Sequence, residues 1–108
     1  MLTDEYRSKI LRILEQDPAI SQRDLARQLG VSLGKANYCL QALIDKGWIK
    51  ASNFKNSNNK MAYMYLLTRR GIVEKARVTA RFLDRKVTEY EALQREIAVL
   101  RREMQERK

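Results

Sequence analysis

Residues 32–41 include side chains that can hydrogen-bond to the edges of nucleic-acid bases. Asn37 and Gln41 can each bond an adenine through two atoms, and Lys35 can reach a guanine or a phosphate. Leu33 can contact a thymine methyl group, and the N-terminus of a helix favours phosphate. At helical spacing these residues share one face, which predicts contact with double-stranded DNA, although ordinary solvated positions carry similar residues. The predicted contacts of this face are Ser32, Leu33, Gly34, Lys35, Asn37, Tyr38 and Gln41.

Gly34 is the unexpected member of this face. Glycine inside a helix lowers its stability by about 1 kcal/mol relative to alanine. Its position near the predicted helix start therefore indicates that a partner approaches the backbone closely there.

Two predicted helices joined by a tight turn position this face. Ser21 suits the N-cap of the first helix, with Asp24 three residues later, and Gly30 can adopt the left-handed conformation that ends a helix. Ser32 suits the N-cap of the second helix, about residues 33–46, so that only about three residues form the turn. This spacing is typical of a helix-turn-helix. The residues predicted to face the core from the second helix are Ala36, Leu40, Leu43 and Ile44.

Another helix precedes this pair. Residues 2–16 have apolar side chains along one side, Thr3 can cap their N-terminus, and Pro18 ends the helix. Three helices of this kind predict a compact trihelical core whose third helix faces outward.

After Gly47 the apolar periodicity changes from 3.6 to about 2, which predicts two strands. Residues 48–54 and 61–67 suit strands, and the polar segment KNSNNK separates them at residues 55–60. A hairpin of about residues 48–67 beside a helix-turn-helix is a wing, whose cationic tip can reach phosphate or a minor groove. Any exposed hairpin would also have a polar tip. The predicted DNA contacts of the tip are Lys55, Asn56, Asn58, Asn59 and Lys60.

Residues 69–108 read as one long helix that Thr68 can cap, following a DNA-binding unit of residues 1–68. The apolar residues of its second half follow a heptad repeat, with positions a to g, that Lys86 interrupts at one d position. This pattern predicts a short coiled coil that forms a homodimer, and a solitary helix folded back onto its own core is the alternative. The predicted dimer-interface residues are Leu83, Val87, Tyr90, Leu93, Ile97, Leu100 and Met104.

Composition favours a polyanionic partner and argues against catalysis. The 22 basic and 13 acidic side chains give a net charge of +9, and the basic excess is densest in residues 51–75. The chain has no histidine and one cysteine, which excludes a zinc site, a histidine general base and an intrachain disulfide. Because no phosphate-loop, dinucleotide or nucleophile-elbow motif occurs, we predict neither an enzyme nor a cofactor.

The sequence also predicts where in the cell the protein is found. Its apolar runs are too short to span a bilayer, and MLTDEYRSK at the N-terminus has no signal-peptide core. We therefore expect a cytoplasmic protein without a membrane partner.

Cys39 has two interpretations. A helix and nearby lysines can favour a thiolate, so it could sense oxidation within the second helix of the pair. A small packing residue beside Leu40 is the more common role of a single cysteine.

Several stretches resemble one group of bacterial regulators. The segments VSLGK and NYCL, and the pattern NF-NS-NK-AY-YLLT-GI-EKAR, are similar to small MarR-type winged-helix regulators associated with exopolysaccharide loci. The resemblance covers nearly the whole chain and implies a transcriptional regulator in the bacterial cytoplasm. Residues 67–71 match the L-T-x-x-G exit from the wing in the broader MarR family.

Two departures from that broader family matter. Its D-x-R wing motif appears here as Asn59, Lys60 and Met61, so Lys60 would replace the wing arginine without the acid that orients it. The sequence also begins at the first helix of the DNA-binding unit, which leaves dimerisation to the C-terminal helix. No small-molecule effector can be inferred.

Three classes of function fit these features. The first is a homodimeric winged helix-turn-helix regulator of double-stranded DNA, with its recognition helix in the major groove. The second is a protein-interaction adaptor that uses the winged fold as a scaffold and the coiled coil to recruit a partner. RNA binding fits the charge but lacks an aromatic stacking platform, because Tyr38 stands nearly alone.

Overall fold

The computed structural model describes residues 2–55 and 61–107. Helix α1 (Asp4–Gln16), helix α2 (Gln22–Leu29) and helix α3 (Leu33–Asp45) are followed by a two-stranded sheet. Strands β1 (Ile49–Lys55) and β2 (Met61–Leu67) lead into helix α4 (Arg69–Glu106). The mainly α architecture with a small β-wing and a long C-terminal helix confirms the predicted fold class.

Each helix begins at the N-cap that the sequence indicates. The hydroxyl oxygens of Thr3, Ser21, Ser32 and Thr68 each accept a hydrogen bond from a backbone N–H three residues later. Gly30 ends α2 with a φ of 69°, in the left-handed region. Helix α1 begins at Asp4, two residues later than predicted, because Thr3 is its cap and not part of its first turn.

The first three helices, the base of the hairpin and the first half of α4 enclose one hydrophobic core. On α3, Ala36, Leu40 and Leu43 are buried as predicted, Ile44 is partly buried, and Cys39 is buried beside them. The core residues of the described chain are Ile10, Leu11, Leu14, Ile20, Leu25, Cys39, Leu40, Leu43, Trp48, Ile49, Tyr65 and Val78.

The hairpin is antiparallel, with paired residues running from Ile49 and Leu67 to Lys55 and Met61. The backbone N–H of Tyr65 donates to the carbonyl oxygen of Pro18 at 2.9 Å, which joins β2 to the segment between α1 and α2. The wing is therefore fixed at its base by the trihelical core.

The first half of α4 packs along α1 in the opposite direction. Lys75 pairs with Glu15, the hydroxyls of Ser8 and Thr79 lie 3.0 Å apart, and Arg81 pairs with Asp4. Val78 is fully buried between these polar contacts. Polar pairs at both ends and an apolar contact at the centre therefore hold α4 to α1.

Gly71 lies where α4 passes closest to the core. A Cβ atom at this position would overlap the carbonyl oxygen of Trp48. The same carbonyl accepts a hydrogen bond from the backbone N–H of Thr68 at 3.0 Å. Glycine therefore permits the start of α4 to lie directly on the chain that enters the hairpin.

The second half of α4 leaves the core. Every residue from 87 to 107 is exposed, and the described chain extends 71 Å along its longest axis. At about 1.5 Å per residue, these residues project roughly 30 Å beyond α1. Within residues 2–55 and 61–107, no helix combines the length and apolar character needed to cross a bilayer.

Candidate nucleic-acid interface

The predicted contact face of α3 is exposed along its whole length. Its residues lie opposite Ala36, Leu40 and Leu43, which bind the helix to the core. The exposed set is Ser32, Leu33, Gly34, Lys35, Asn37, Tyr38 and Gln41. The buried side chains thus hold α3 on the core and leave the opposite face open to a partner.

Two of these side chains have contacts within the chain. The Lys35 ammonium lies 4.7 Å from the centre of the Tyr6 ring, a cation–π distance. The Gln41 amide donates to the Asp45 carboxylate at 3.0 Å. Both are surface contacts, and Gln41 would have to exchange its carboxylate for a base edge in order to read DNA.

The N-terminus of α3 is capped by Ser32, which belongs to the same exposed set. The Ser32 hydroxyl accepts from the Lys35 N–H at 3.1 Å, which leaves the N–H groups of Leu33 and Gly34 at the helix end. A Cβ added to Gly34 would meet no atom of residues 2–55 and 61–107 within 4 Å. No contact among these described residues therefore requires glycine at this position.

A groove of about 280 Å³ separates α3 from the hairpin. Asn37 and Gln41 line it from α3, whereas Ala51 and Tyr63 line it from the two strands. The Tyr63 side chain is 58% exposed and lies on the wing, across the groove from the polar face of α3. The exposed face of α3 and the adjoining part of the two strands therefore line one groove.

Tyr63 and Gln22 also line this groove, although neither was among the predicted contacts. Tyr63 and Tyr65 lie two apart on β2 and therefore share a face, and their ring centres are 6.4 Å apart. Tyr65 is buried and accepts a hydrogen bond from the Gln22 amide at 3.0 Å. The two-residue alternation could have placed Tyr63 beside α3, but the partner of Tyr65 depends on tertiary structure.

The side chains predicted to contact DNA at the tip of the wing are not among those described. The side chain of Lys55, together with Asn56, Asn58, Asn59 and Lys60, lies outside the described residues. The assignment of these five residues to DNA stays a prediction.

Cys39 lies on the buried side of α3, with 2% of its surface exposed. Burial raises the pKa of its thiol, and the charge of Lys35 opposes that rise only in part. A thiol that is buried and protonated is unreactive, which favours the packing interpretation over the redox sensor.

The predicted dimer residues are all exposed on α4. No other element of the described chain buries these apolar side chains. Leu83, Tyr90, Leu100 and Met104 are each at least 58% exposed. Ile72, Val73 and Val99 are also exposed, which the sequence analysis did not single out. The structure contains one copy of the chain, so the dimer stays a prediction.

Lys86 interrupts the apolar repeat of α4, and its ammonium group contacts other residues of the same chain. Its ammonium lies 3.2 Å from the Glu89 carboxylate, 3.9 Å from that of Glu5 and 5.4 Å from the centre of the Phe82 ring. The positive charge of Lys86 is therefore neutralised by carboxylates of the same chain.

No group of three or more potential metal ligands occurs within residues 2–55 and 61–107. The interface is built from a helix face, a helix N-terminus and a strand pair, which together suit recognition of a polyanion.

These elements are those of a winged helix-turn-helix. Residues 3–50 match the family model described as winged helix-turn-helix DNA-binding, which covers α1, α2, α3 and the start of β1. The chain therefore has the winged helix-turn-helix fold. No curated protein matches the chain.

Two solved structures are similar to it. One is the zinc-dependent MarR family transcriptional regulator AdcR in the Zn(II)-bound state, at 23% identity and a TM-score of 0.50, covering 96% of this chain and 76% of that chain. The other is a possible transcriptional regulator from Methanosarcina mazei Go1, at 15% identity and a TM-score of 0.44, covering 76% of this chain and 72% of that chain. The similarity to AdcR supports the fold over nearly the whole length, including α4.

Proposed function

We propose that the protein is a transcriptional regulator that binds specific sequences of double-stranded DNA as a homodimer. Helix α3 would enter the major groove and the wing would contact the flanking backbone or minor groove. The observation that carries this proposal is the uninterrupted exposure of the polar face of α3, joined through the groove to Tyr63 of the hairpin.

Each part of the surface would have its own role. Asn37 and Gln41 would bond base edges, Leu33 would contact a thymine methyl group, and the helix N-terminus would bind phosphate. Lys35 would reach phosphate or guanine after leaving the Tyr6 ring, a contact worth only about 0.5–1 kcal/mol at an exposed site. Lys60 and the other predicted tip residues would add phosphate contacts that carry no sequence information.

The homodimer would form through the exposed apolar stripe of α4. Two copies of the winged domain would then bind half-sites about one helical turn apart, roughly 34 Å. The sequence resemblance further supports a bacterial cytoplasmic protein from the group associated with exopolysaccharide loci.

Titration of a random duplex at several salt concentrations tests the DNA proposal without knowledge of the operator. Release of counterions should make the affinity fall steeply, with a logarithmic slope of about −0.9 for each phosphate neutralised. Lys60→Ala should reduce that slope by about one contact. A weak affinity with a shallow slope would instead favour the adaptor function.

A second titration separates base reading from phosphate binding, once a preferred sequence has been selected. Asn37→Ala should lose about 1–3 kcal/mol on the preferred sequence and almost nothing on random DNA. Equal losses on both DNAs would remove Asn37 from the base-reading set.

A further inference from the structure

The apolar stripe of α4 is flanked by charges of opposite sign. With Leu83, Tyr90, Ile97 and Met104 at positions a, the g positions on one side are Glu89, Glu96 and Glu103. The e positions on the other side in the same region are Gln94 and Arg101. One edge of the stripe is therefore acidic, and the opposite edge is neutral or basic.

This asymmetry distinguishes the two ways in which a pair of such helices can associate. In a parallel pair, each g residue faces the e residue of the following heptad on the partner, so Glu96 of one copy meets Arg101 of the other. In an antiparallel pair, g faces g and e faces e, which brings glutamates together along one edge and leaves Arg101 facing e residues that carry no negative charge. Charge complementarity therefore favours the parallel arrangement.

The ion pairs within the chain leave these two residues available. Along α4, the last ion pair in the described part of the chain joins Lys86 to Glu89. Glu96 and Arg101 lie beyond it, on the exposed half of the helix. Glu89 is already occupied by Lys86, which makes Glu96 and Arg101 the first pair free to act between copies.

Lys86 also fits this arrangement. In a parallel pair in register, the two copies of this d residue lie opposite each other, where their charges would repel. The contacts of the Lys86 ammonium with Glu5 and Glu89 hold each charge against its own chain. The regular apolar seam then begins at Tyr90, where α4 has already left α1.

We propose that α4 pairs with α4 of a second copy in a parallel coiled coil, in register, from Tyr90 to Met104, with Glu96 of each copy bound to Arg101 of the other. This inference rests on the homodimer of the proposed function and specifies its geometry. A parallel pair places both winged domains at the same end of the coil, from which they can reach neighbouring half-sites on one DNA.

Disulfide trapping distinguishes the two orientations. In a Cys39→Ala background, Leu100→Cys introduces a cysteine at a d position, and Arg95→Cys introduces the outward-facing control. Identical d residues of a parallel pair lie close enough for a disulfide, which requires Cα atoms about 4.4–6.8 Å apart. We expect Leu100→Cys, and not Arg95→Cys, to form covalent dimers in a glutathione redox buffer.

Light scattering on the same background separates failure of this inference from failure of the homodimer. A dimer in which Leu100→Cys forms no disulfide would overturn the parallel arrangement while leaving the homodimer intact. A monomer at every concentration would overturn the homodimer and this inference with it.

Charge exchange provides a test that does not alter the apolar seam. Glu96→Lys and Arg101→Glu should each raise the dimer dissociation constant about 3- to 10-fold, because each creates two symmetric like-charge contacts. The double variant Glu96→Lys with Arg101→Glu should return the constant close to that of the wild type. Tighter association of the Glu96→Lys single variant would indicate that glutamates face each other and would overturn the proposal.

Discussion

The Gln22 amide donates a hydrogen bond to the Tyr65 hydroxyl at 3.0 Å, across 43 positions of sequence. Gln22 opens α2 and Tyr65 lies in β2, so this bond joins the helix-turn-helix to the wing. The Tyr65 ring is buried in the core, while Tyr63 on the same strand face reaches into the groove beside α3. The two tyrosines therefore connect the core to the proposed DNA surface.

Tyr65→Phe should lower the free energy of unfolding by about 0.5–1.5 kcal/mol, because it removes one hydrogen bond and keeps the ring in place. Denaturant unfolding measures this change. Tyr63→Phe is the matched control, since the Tyr63 ring is mostly exposed and the substitution should leave stability within about 0.5 kcal/mol. Equal effects of the two variants would show that the Gln22 contact does not stabilise the wing.

Gly71→Ala should destabilise the protein by about 1–3 kcal/mol, the typical range for overpacking in a well-packed site. The added methyl group would overlap the Trp48 carbonyl and push the start of α4 away from the hairpin. Thermal or denaturant unfolding gives the result. A variant as stable as the wild type would mean that α4 does not pack against Trp48 as described.

Gly34→Ala is the matched substitution at a position where the chain leaves open space. It should stabilise the protein by about 0.5–1 kcal/mol through helix propensity. If DNA approaches the α3 backbone at Gly34, the same variant should bind its preferred DNA more weakly. Unchanged DNA affinity in the stabilised variant would show that no close approach occurs there.

Asp4 should make stability depend on pH in the acid range. Hydrogen bonds from Arg81, at 2.9 and 3.1 Å, lower the pKa of the Asp4 carboxyl below its ordinary value near 3.8. Because the folded-state pKa is the lower one, the stabilisation is complete above the unfolded value and is lost as pH falls through the folded value. Asp4→Asn should therefore destabilise the protein at pH 7 and have a diminishing effect as the pH falls below about 4.

A double-mutant cycle tests whether Arg81 is the partner that stabilises the Asp4 carboxylate. Arg81→Gln should reproduce most of the Asp4→Asn effect at pH 7, and combining the two should add little. Additive losses at pH 7 would show that the lowered pKa of Asp4 has another cause.

Local features of the sequence predicted the winged fold and its exposed face. Ser21, Ser32 and Thr68 cap the helices that they were expected to cap, since capping depends on residues three or four apart. The periodicity of α3 likewise separated Leu40 and Leu43 from the exposed side chains, because a helix fixes which residues share a face.

Long-range contacts were beyond sequence reasoning. The Asp4–Arg81 pair joins residues 77 positions apart. A helix folded back onto the core was considered as an alternative to the coiled coil, but residue spacing did not show which part of α4 would pack along α1. The Gln22–Tyr65 bond and the groove position of Tyr63 depend in the same way on how the hairpin rests on the helices. These contacts follow from tertiary placement, which residue spacing alone does not determine.

Selection of bound sequences from random duplex DNA with the purified protein tests the central claim most directly. We predict enrichment of a palindromic consensus whose half-sites lie about one helical turn apart, as expected for two recognition helices held by one dimer. Recovery of DNA without any sequence preference, at the affinity of non-specific binding, would contradict the claim that this protein is a sequence-specific regulator.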